Sequence, residues 1–359
     1  MSKINFKSKF IILLTAVLAS ATFVSCAKNT TQDTTVRPEN NNEKQQANKL
    51  ELSKLTKLED TGTIKGWINK SELLTASPTH LQEKDVSGRY KWLELKKLNY
   101  NTLEVKKLIE DQFNYLILSP DGTKGAYKKS DDNSDIMGTI DINSGKTTLI
   151  GSFSKPGSIM WSNNSRYFSS IVRDGIAVYD TKTNESKQYY ITNLRNISGY
   201  GDVKVSDDAK HAFLALHSGL YLVDLYSLPK DIWGLEEFKI SSGNISSYMF
   251  LNNSEALFVG SKGEITSLYQ YDLNSKERKE ILESVSNFIL SNNQRHIAYT
   301  INSNLYVGIL KDFTITNSSS IFKGNIAAQM WWNEDNLKFV FSGSEQGNGN
   351  FKQYIAELK

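Results

Sequence analysis

Cysteine and histidine, two residue types that serve in hydrolysis by nucleophilic attack, are rare in this chain of 359. The chain has one cysteine, Cys26, and four histidines, at positions 80, 211, 217 and 296. Such catalysis needs a serine on a strained turn, or a thiolate, with a histidine in reach. The sequence contains no Gly-x-Ser-x-Gly segment, and it therefore predicts no catalytic residue and no enzyme activity.

One segment has the alternating oxygen ligands of a calcium-binding loop, namely Asp131, Asn133 and Asp135. Such a loop also needs a glycine at its sixth position and a bidentate glutamate at its twelfth. These positions hold Ile136 and Ile142, so a solvated hairpin loop accounts for the segment equally well. A single cysteine also excludes a zinc site of several thiolates. We predict neither a metal nor a cofactor.

The N-terminus has the features of an export signal. Residues 1–9 include Lys3, Lys7 and Lys9, and residues 10–24 are mostly apolar, which is a charged segment followed by a hydrophobic one. The segment ends in Phe-Val-Ser-Cys, which resembles the lipobox of bacterial lipoproteins. This resemblance implies that residues 1–25 are a signal peptide and that Cys26 becomes the lipid-bearing first residue. An ordinary secretory signal with an incidental cysteine is the alternative.

The residues that follow Cys26 predict a tether. Residues 26–49 are rich in Asn, Gln, Thr, Lys and Glu and almost devoid of apolar side chains, a composition typical of disorder. The chain has 42 Lys and Arg against 39 Asp and Glu, and three of the lysines lie in the signal peptide, so the remainder is neutral. A neutral chain gives no support for a nucleic-acid partner. We expect a membrane-anchored protein on the extracytoplasmic face of the cell envelope.

A repeat fills the rest of the chain. Its clearest copy is Ser-Pro-Asp-Gly-Thr-Lys-Gly-Ala-Tyr, from Ser119 to Tyr127. Weaker copies begin at residues 68, 162, 206, 251, 291 and 333, and the intervals from Ser119 onward are 43, 44, 45, 40 and 42 residues. This period is typical of β-propeller blades. His211 and His296 hold the same position in different copies, so we do not expect them to share a metal.

The pattern within each copy predicts four short strands separated by polar turns. The last copy ends at Lys359 after three strands, and residues 51–60 supply a strand that has no copy of its own. We predict an all-β, seven-bladed β-propeller over residues 50–359, in which the N-terminal strand completes the last blade. Such closure leaves no unpaired strand edge.

The segment from Ser119 to Tyr127 resembles the TolB-like propeller repeat, a relative of the WD repeat. The resemblance implies a propeller over everything beyond the tether, but residues 27–49 leave no room for the α/β domain that precedes the TolB propeller. We expect a monomeric, non-catalytic module that binds a protein, a peptide or an envelope polymer. The alternatives are a glycoside hydrolase or lactonase with its site in the central channel, and a scaffold of an envelope complex.

Four of the six tryptophans are informative by position. Trp161 and Trp332 directly precede their turn motifs and Trp67 has a comparable place, so all three are expected to pack between blades. Trp233 lies in an insertion of the fourth copy and breaks the pattern. Since binding residues are frequent on loops, Trp233 is the candidate ligand-binding residue, and residues 75–87 and 343–350 are candidate long loops.

Overall fold

The protein is built almost entirely of β strands. The structure, a computed structural model, describes residues 49–59, 61–79, 92–113, 115–130, 135–153, 156–194, 201–243, 245–345 and 349–359. The strands are, in chain order, β1 (Leu52–Leu58), β2 (Thr63–Trp67), β3 (Glu72–Pro78), β4 (Trp92–Asn99), β5 (Val105–Gln112), β6 (Tyr115–Leu118), β7 (Lys124–Ser130), β8 (Asp135–Asp141), β9 (Thr147–Phe153), β10 (Met160–Trp161), β11 (Tyr167–Val172), β12 (Gly175–Asp180), β13 (Glu185–Tyr190), β14 (Asp202–Val205), β15 (His211–Leu216), β16 (Gly219–Asp224), β17 (Lys239–Ser242), β18 (Tyr248–Phe250), β19 (Glu255–Lys262), β20 (Ile265–Asp272), β21 (Arg278–Glu283), β22 (Val285–Leu290), β23 (His296–Ile301), β24 (Asn304–Lys311), β25 (Thr314–Trp332), β26 (Lys338–Glu345) and β27 (Lys352–Leu358). A 3-10 helix, Ile232–Phe238, lies between β16 and β17.

The strands form a series of antiparallel sheets in chain order. The first to fifth sheets have four strands each: β2 to β5, β6 to β9, β10 to β13, β14 to β17 and β18 to β21. A larger sheet has the order β1-β27-β26-β25-β24-β23-β22. The all-β class and the four-stranded unit predicted from the repeat are therefore confirmed.

The larger sheet consists of two four-stranded units that share one strand. The first part of β25 pairs with β24 as far as Lys323, and the second part pairs with β26 from Gly324 onward. Gly324 has a φ of +147°, a backbone conformation that side chains disfavour. The chain thus passes from the last strand of one unit to the first strand of the next within β25.

The N-terminal strand completes the last unit. β1 pairs antiparallel with β27, with Leu55 opposite Ala356 and Lys57 opposite Tyr354. This is the pairing that the surplus strand at residues 51–60 predicts. It covers the edge of β27 and so removes a row of unpaired backbone groups.

The hydrophobic core lies between consecutive units. One buried cluster joins the fourth and fifth sheets through Phe213 and Phe258, and another joins the first sheet to the last unit through Trp67 and Val340. In the third sheet, every residue of the second strand, β11, is buried, whereas the residues of the last strand, β13, are almost all exposed. The first strands of several neighbouring units contact one another: β2 contacts β6 and β25, β10 contacts β14, and β22 contacts β25. These first strands are called the inner strands below.

Both expected long loops, at residues 75–87 and 343–350, begin later than predicted. β3 continues from Glu72 through Pro78, and β26 continues through Glu345, because cross-strand pairing extends the hairpins. Residues 80–87 and 346–348 lie outside the described residues. No helix in the described parts of the chain is long and apolar enough to cross a membrane.

Candidate functional site

The repeated tetrapeptides form the turns that end the inner strands. Ser119 Oγ donates to Asp121 Oδ1 at 2.6 Å and accepts from the backbone N–H of Lys124 at 3.0 Å, while Gly122 holds a φ of +72°. The same two serine bonds recur at Ser162, Ser206 and Ser291. Because one geometry serves these four copies, their Asp and Asn side chains are turn formers.

The acids at the ends of the third strands have the same role. Asp141 accepts the backbone N–H of Ser144 at 2.8 Å, and this bond lowers the pKa of Asp141. At Asp180 a bidentate hydrogen bond from Arg166 is the main cause of a lowered pKa. Asp272 accepts from Ser275, which likewise lowers its pKa. The turn backbone therefore favours the ionised forms of Asp141 and Asp272, and Arg166 favours that of Asp180.

Three tryptophans join neighbouring units, as predicted. Trp67, Trp161 and Trp332 are all buried. Each indole Nε1 donates to a carbonyl on the inner strand of the preceding unit. The donor and acceptor pairs are Trp67 and Trp331 (3.0 Å), Trp161 and Ile117 (3.2 Å), and Trp332 and Ile289 (3.4 Å). Each acceptor stands two residues before its own turn motif, so the repeat itself dictates the contact.

A cavity of about 530 Å³ lies where the inner strands end at these turns. We call it the channel mouth. Residues from every unit line it, and each unit contributes the residue two positions before its turn: Gly66, Ile117, Met160, Lys204, Met249, Ile289 and Trp331. Side chains alternate along a strand, so one position repeated in each unit forms a ring. The ring is apolar except at Lys204.

Lys204 is the unusual member of this ring. Its flanking residues Val203 and Val205 are buried in the core, and Lys204 itself is only 9% exposed. Burial lowers the pKa of Lys204 to about 8. The charge of the Asp207 carboxylate raises this pKa, but by less than burial lowers it. Among the described residues no hydrogen bond or ion pair involves its Nζ. A buried amine without a fixed partner in a cavity is a candidate functional group.

Two further titratable residues lie on inner strands away from the channel mouth. Burial raises the pKa of Asp202, opposed by a hydrogen bond from Ser158 and by the charge of Lys128. Burial lowers the pKa of Lys65, where β2 has a bulge. Asp202 is the only carboxylate on the described inner strands. A pair of facing carboxylates, which glycoside hydrolysis requires, is not found on them.

The other candidate residues from the sequence are not brought to the channel mouth. Trp233 is 76% exposed on the 3-10 helix, whose N-terminus is capped by Asp231. His296 Nδ1 lies 2.8 Å from the Asn336 carbonyl oxygen, and His211 begins β15 in another unit. No cluster of three or more metal-ligating side chains occurs in the described parts of the chain.

Several predictions fall on residues that the structure does not describe. Cys26 and the whole of residues 1–48 lie outside the described residues, as do His80 and residues 131–134 of the calcium-like segment. Lys204 was missed from the sequence although a signal exists. It occupies the repeat position that holds Ile117 and Ile289 elsewhere, and an alignment of the repeats shows a charged residue among apolar ones.

The comparisons with known proteins identify the fold. The chain matches no family model and no curated protein. It is similar to the crystal structure of oligogalacturonate lyase from Vibrio parahaemolyticus, with a TM-score of 0.58 at 14% identity over 86% of this chain and 96% of the other. It is also similar to the β-propeller domain of the Trilobed protease from Pyrococcus furiosus, with a TM-score of 0.54 at 13% identity over 84% and 95%.

These likenesses define the class of protein. The chain also spans 29% of the tricorn protease, with a TM-score of 0.48 at 13% identity over 70% of this chain. Together with the series of four-stranded sheets, the likeness to the lyase and to the Trilobed protease domain shows that the fold is a β-propeller. At these identities the likeness concerns the fold and carries no activity with it.

Proposed function

We propose that this chain is a lipid-anchored, extracytoplasmic protein whose propeller binds a ligand at the channel mouth. The observation that carries the proposal is the ring of apolar side chains around a buried Lys204 without a fixed partner. Ligand sites of proteins are concave, mostly apolar and supplied with few polar groups, and the channel mouth has these properties. The expected ligand is a protein, a peptide or an envelope polymer.

The finer architecture that we infer is a closed ring of seven blades. Five blades are the four-stranded sheets, and the larger sheet supplies two more that share β25. Buried apolar clusters between successive units, including one between the last unit and the first, support closure. In this arrangement β1 of the N-terminal segment belongs to the seventh blade.

The anchor proposal predicts that Cys26→Ser abolishes metabolic labelling of the protein with palmitate. The physical reason is that the acyl chains need the cysteine thiol and amine, and two or more chains are required for stable membrane attachment. Fractionation of cells should then find the variant released from the membrane. The matched control is Thr30→Ala in the tether, which should keep both label and location. Retained label in Cys26→Ser would contradict the anchor.

The binding proposal predicts that a photo-crosslinking amino acid at Met249 captures a ligand in intact cells. Met249 lines the channel mouth, whereas Ile265 is exposed on β20 outside it and serves as the control position. We expect a discrete crosslinked product from position 249 that is absent from position 265. Identical products at both positions, or none at position 249, would count against a ligand site at the channel mouth.

The alternative function is an enzyme with its site in the channel. The observation that favours it is that Asp202 and Lys204, two residues apart on β14, have pKa values shifted toward their neutral forms. Chemical turnover of a captured ligand by the mature chain, lost on Asp202→Asn, would establish the enzyme in place of the binding module. The scaffold alternative predicts that a partner protein is destabilised when this protein is deleted.

A further inference from the structure

We propose that the channel mouth binds a monocarboxylate with an apolar body, whose carboxylate pairs with Lys204 Nζ while its body lies within the apolar ring. This inference rests on the proposed function, since it names the ligand class for the same site. It depends on the charge and the lining of the channel mouth.

The charge of the channel mouth calls for one anionic group. Among the described residues that line it, Lys204 is the only cationic side chain and Asp121 the only acidic one, and Asp121 is already bonded to Ser119 and Thr123. Asp207 acts on Lys204 through its charge, yet its Oδ1 accepts the backbone N–H of Asn164 at 2.8 Å. A buried charge is costly unless it is paired, and a bound carboxylate would supply the missing partner.

Asp202 does not serve as that partner. It lies on the same face of β14 as Lys204 by strand alternation, but the basic residue that acts on it is Lys128. Lys128 Nζ in turn donates to the Gly157 carbonyl at 2.7 Å and lies 4.9 Å from the centre of the Tyr115 ring. Asp202 itself is hydrogen-bonded to Ser158 and does not line the channel mouth, so the ammonium of Lys204 is left for a ligand.

The lining of the channel mouth calls for an apolar body. The side chains of Ile117, Ile289 and Trp331 and the two methionines surround Lys204 in the ring. Methionine side chains are flexible and polarisable and adapt to apolar ligands of varied shape. A single cation among such groups fits a monoanion, whereas a phosphate monoester or an acidic polysaccharide would bring further charges into an apolar site.

The carboxylate can come from an alkanoic acid or from the C-terminus of an apolar peptide. The test is calorimetric titration of the mature chain, residues 26–359 with Cys26→Ser, at pH 7. The probes are octanoate with octan-1-ol as its neutral counterpart, and N-acetyl-Leu-Phe with its C-terminal amide. We expect at least one acid to bind ten- to a hundred-fold more tightly than its neutral counterpart, the range for a charge-assisted hydrogen bond. The acid that binds more tightly identifies the source.

Two variants show whether Lys204 carries the effect. Lys204→Met should lose the ten- to a hundred-fold preference for the acid and keep the affinity for the neutral probe. Lys106→Met, which removes an exposed lysine from β5, should change neither. Wild-type affinity for the acid should also fall roughly tenfold per pH unit above about pH 8, because Lys204 loses its proton. The charged side chains near Lys204 are those of Asp121 and Asp207.

Equal affinity for acid and neutral probe, with Lys204→Met unchanged, would overturn the carboxylate proposal and leave the channel mouth as a ligand site. Failure of both acids to bind would also overturn it. In that case a crosslinked product from position 249 would still uphold the proposed function. The absence of such a product as well would overturn the proposed function too.

Discussion

Replacing Lys204 with methionine should raise the free energy of unfolding by about 3 kcal/mol at pH 7. The pKa of Lys204 falls from 10.5 to about 8 on folding because the ammonium is buried among apolar side chains. One pKa unit corresponds to about 1.4 kcal/mol, so the whole lowering of the pKa means that protonated Lys204 destabilises the native state by about 3 kcal/mol. Methionine has a similar length and no charge, and it already fills the equivalent position at Met160 and Met249.

The pH dependence of this gain provides a second measurement. Between about pH 8 and pH 10.5 the unfolded chain binds more protons at Lys204 than the native chain, so wild-type stability rises with pH in this window. Urea unfolding should therefore show the advantage of Lys204→Met shrinking from pH 7 to pH 9.5. The matched control Lys106→Met should change stability by less than about 0.5 kcal/mol. A Lys204→Met variant less stable than wild type at pH 7 would contradict the burial argument.

A stabilising Lys204→Met substitution would also bear on function. Natural proteins keep residues that lower stability where activity or binding requires them. If the variant is more stable and has lost acid binding in the titration, Lys204 is retained for its ligand. If the variant is more stable and binding is unchanged, the lysine has another role.

Replacing Trp161 with alanine should lower the free energy of unfolding by about 3–5 kcal/mol, the range for a large aromatic residue in a core. Trp161 is 4% exposed and its ring centre lies 5.1 Å from that of Phe168. Its Nε1 also donates to the Ile117 carbonyl of the second sheet at 3.2 Å. The substitution therefore removes both packing and a hydrogen bond between two units.

The matched control is Trp233→Ala, which removes the same side chain from an exposed position. Trp233 is 76% exposed, so its loss should change stability by less than about 0.5 kcal/mol. Trp161→Phe should fall between the two, at about 1–2 kcal/mol, because it keeps an aromatic ring and removes the N–H donor. Equal losses in Trp161→Ala and Trp233→Ala would show that the indole of Trp161 does not hold the units together.

Much of the fold could be predicted because its causes are local. The turn at Ser119 needs a hydroxyl, an Asp or Asn two residues later and a residue that tolerates positive φ, and this combination recurs at Ser162, Ser206 and Ser291. Strand β1 could be placed because the last copy lacked a fourth strand and residues 51–60 had no copy of their own. The interblade role of Trp161 and Trp332 followed from their shared place beside the turns.

The binding candidate Trp233 stays a prediction. It interrupts the repeat, and the structure places it on an exposed 3-10 helix away from the channel mouth. The calcium-like segment and Cys26 remain sequence predictions, since they fall outside the described residues. The sequence does not predict the long strand β25, because Gly324 and Asn325 at the junction of the last two units are typical of a turn, yet both pair with β26.

The sequence by itself determined the class of fold, the spacing of its units, the turns and the strand that closes the sheet of the last unit. Each of these depends on neighbours along the chain or on a pattern repeated at a fixed period. Only the tertiary structure decided that Lys204 shares a cavity with Ile117, Met249 and Trp331, residues far apart in sequence. The angle at which successive sheets pack brings these positions together, and no local pattern specifies that angle.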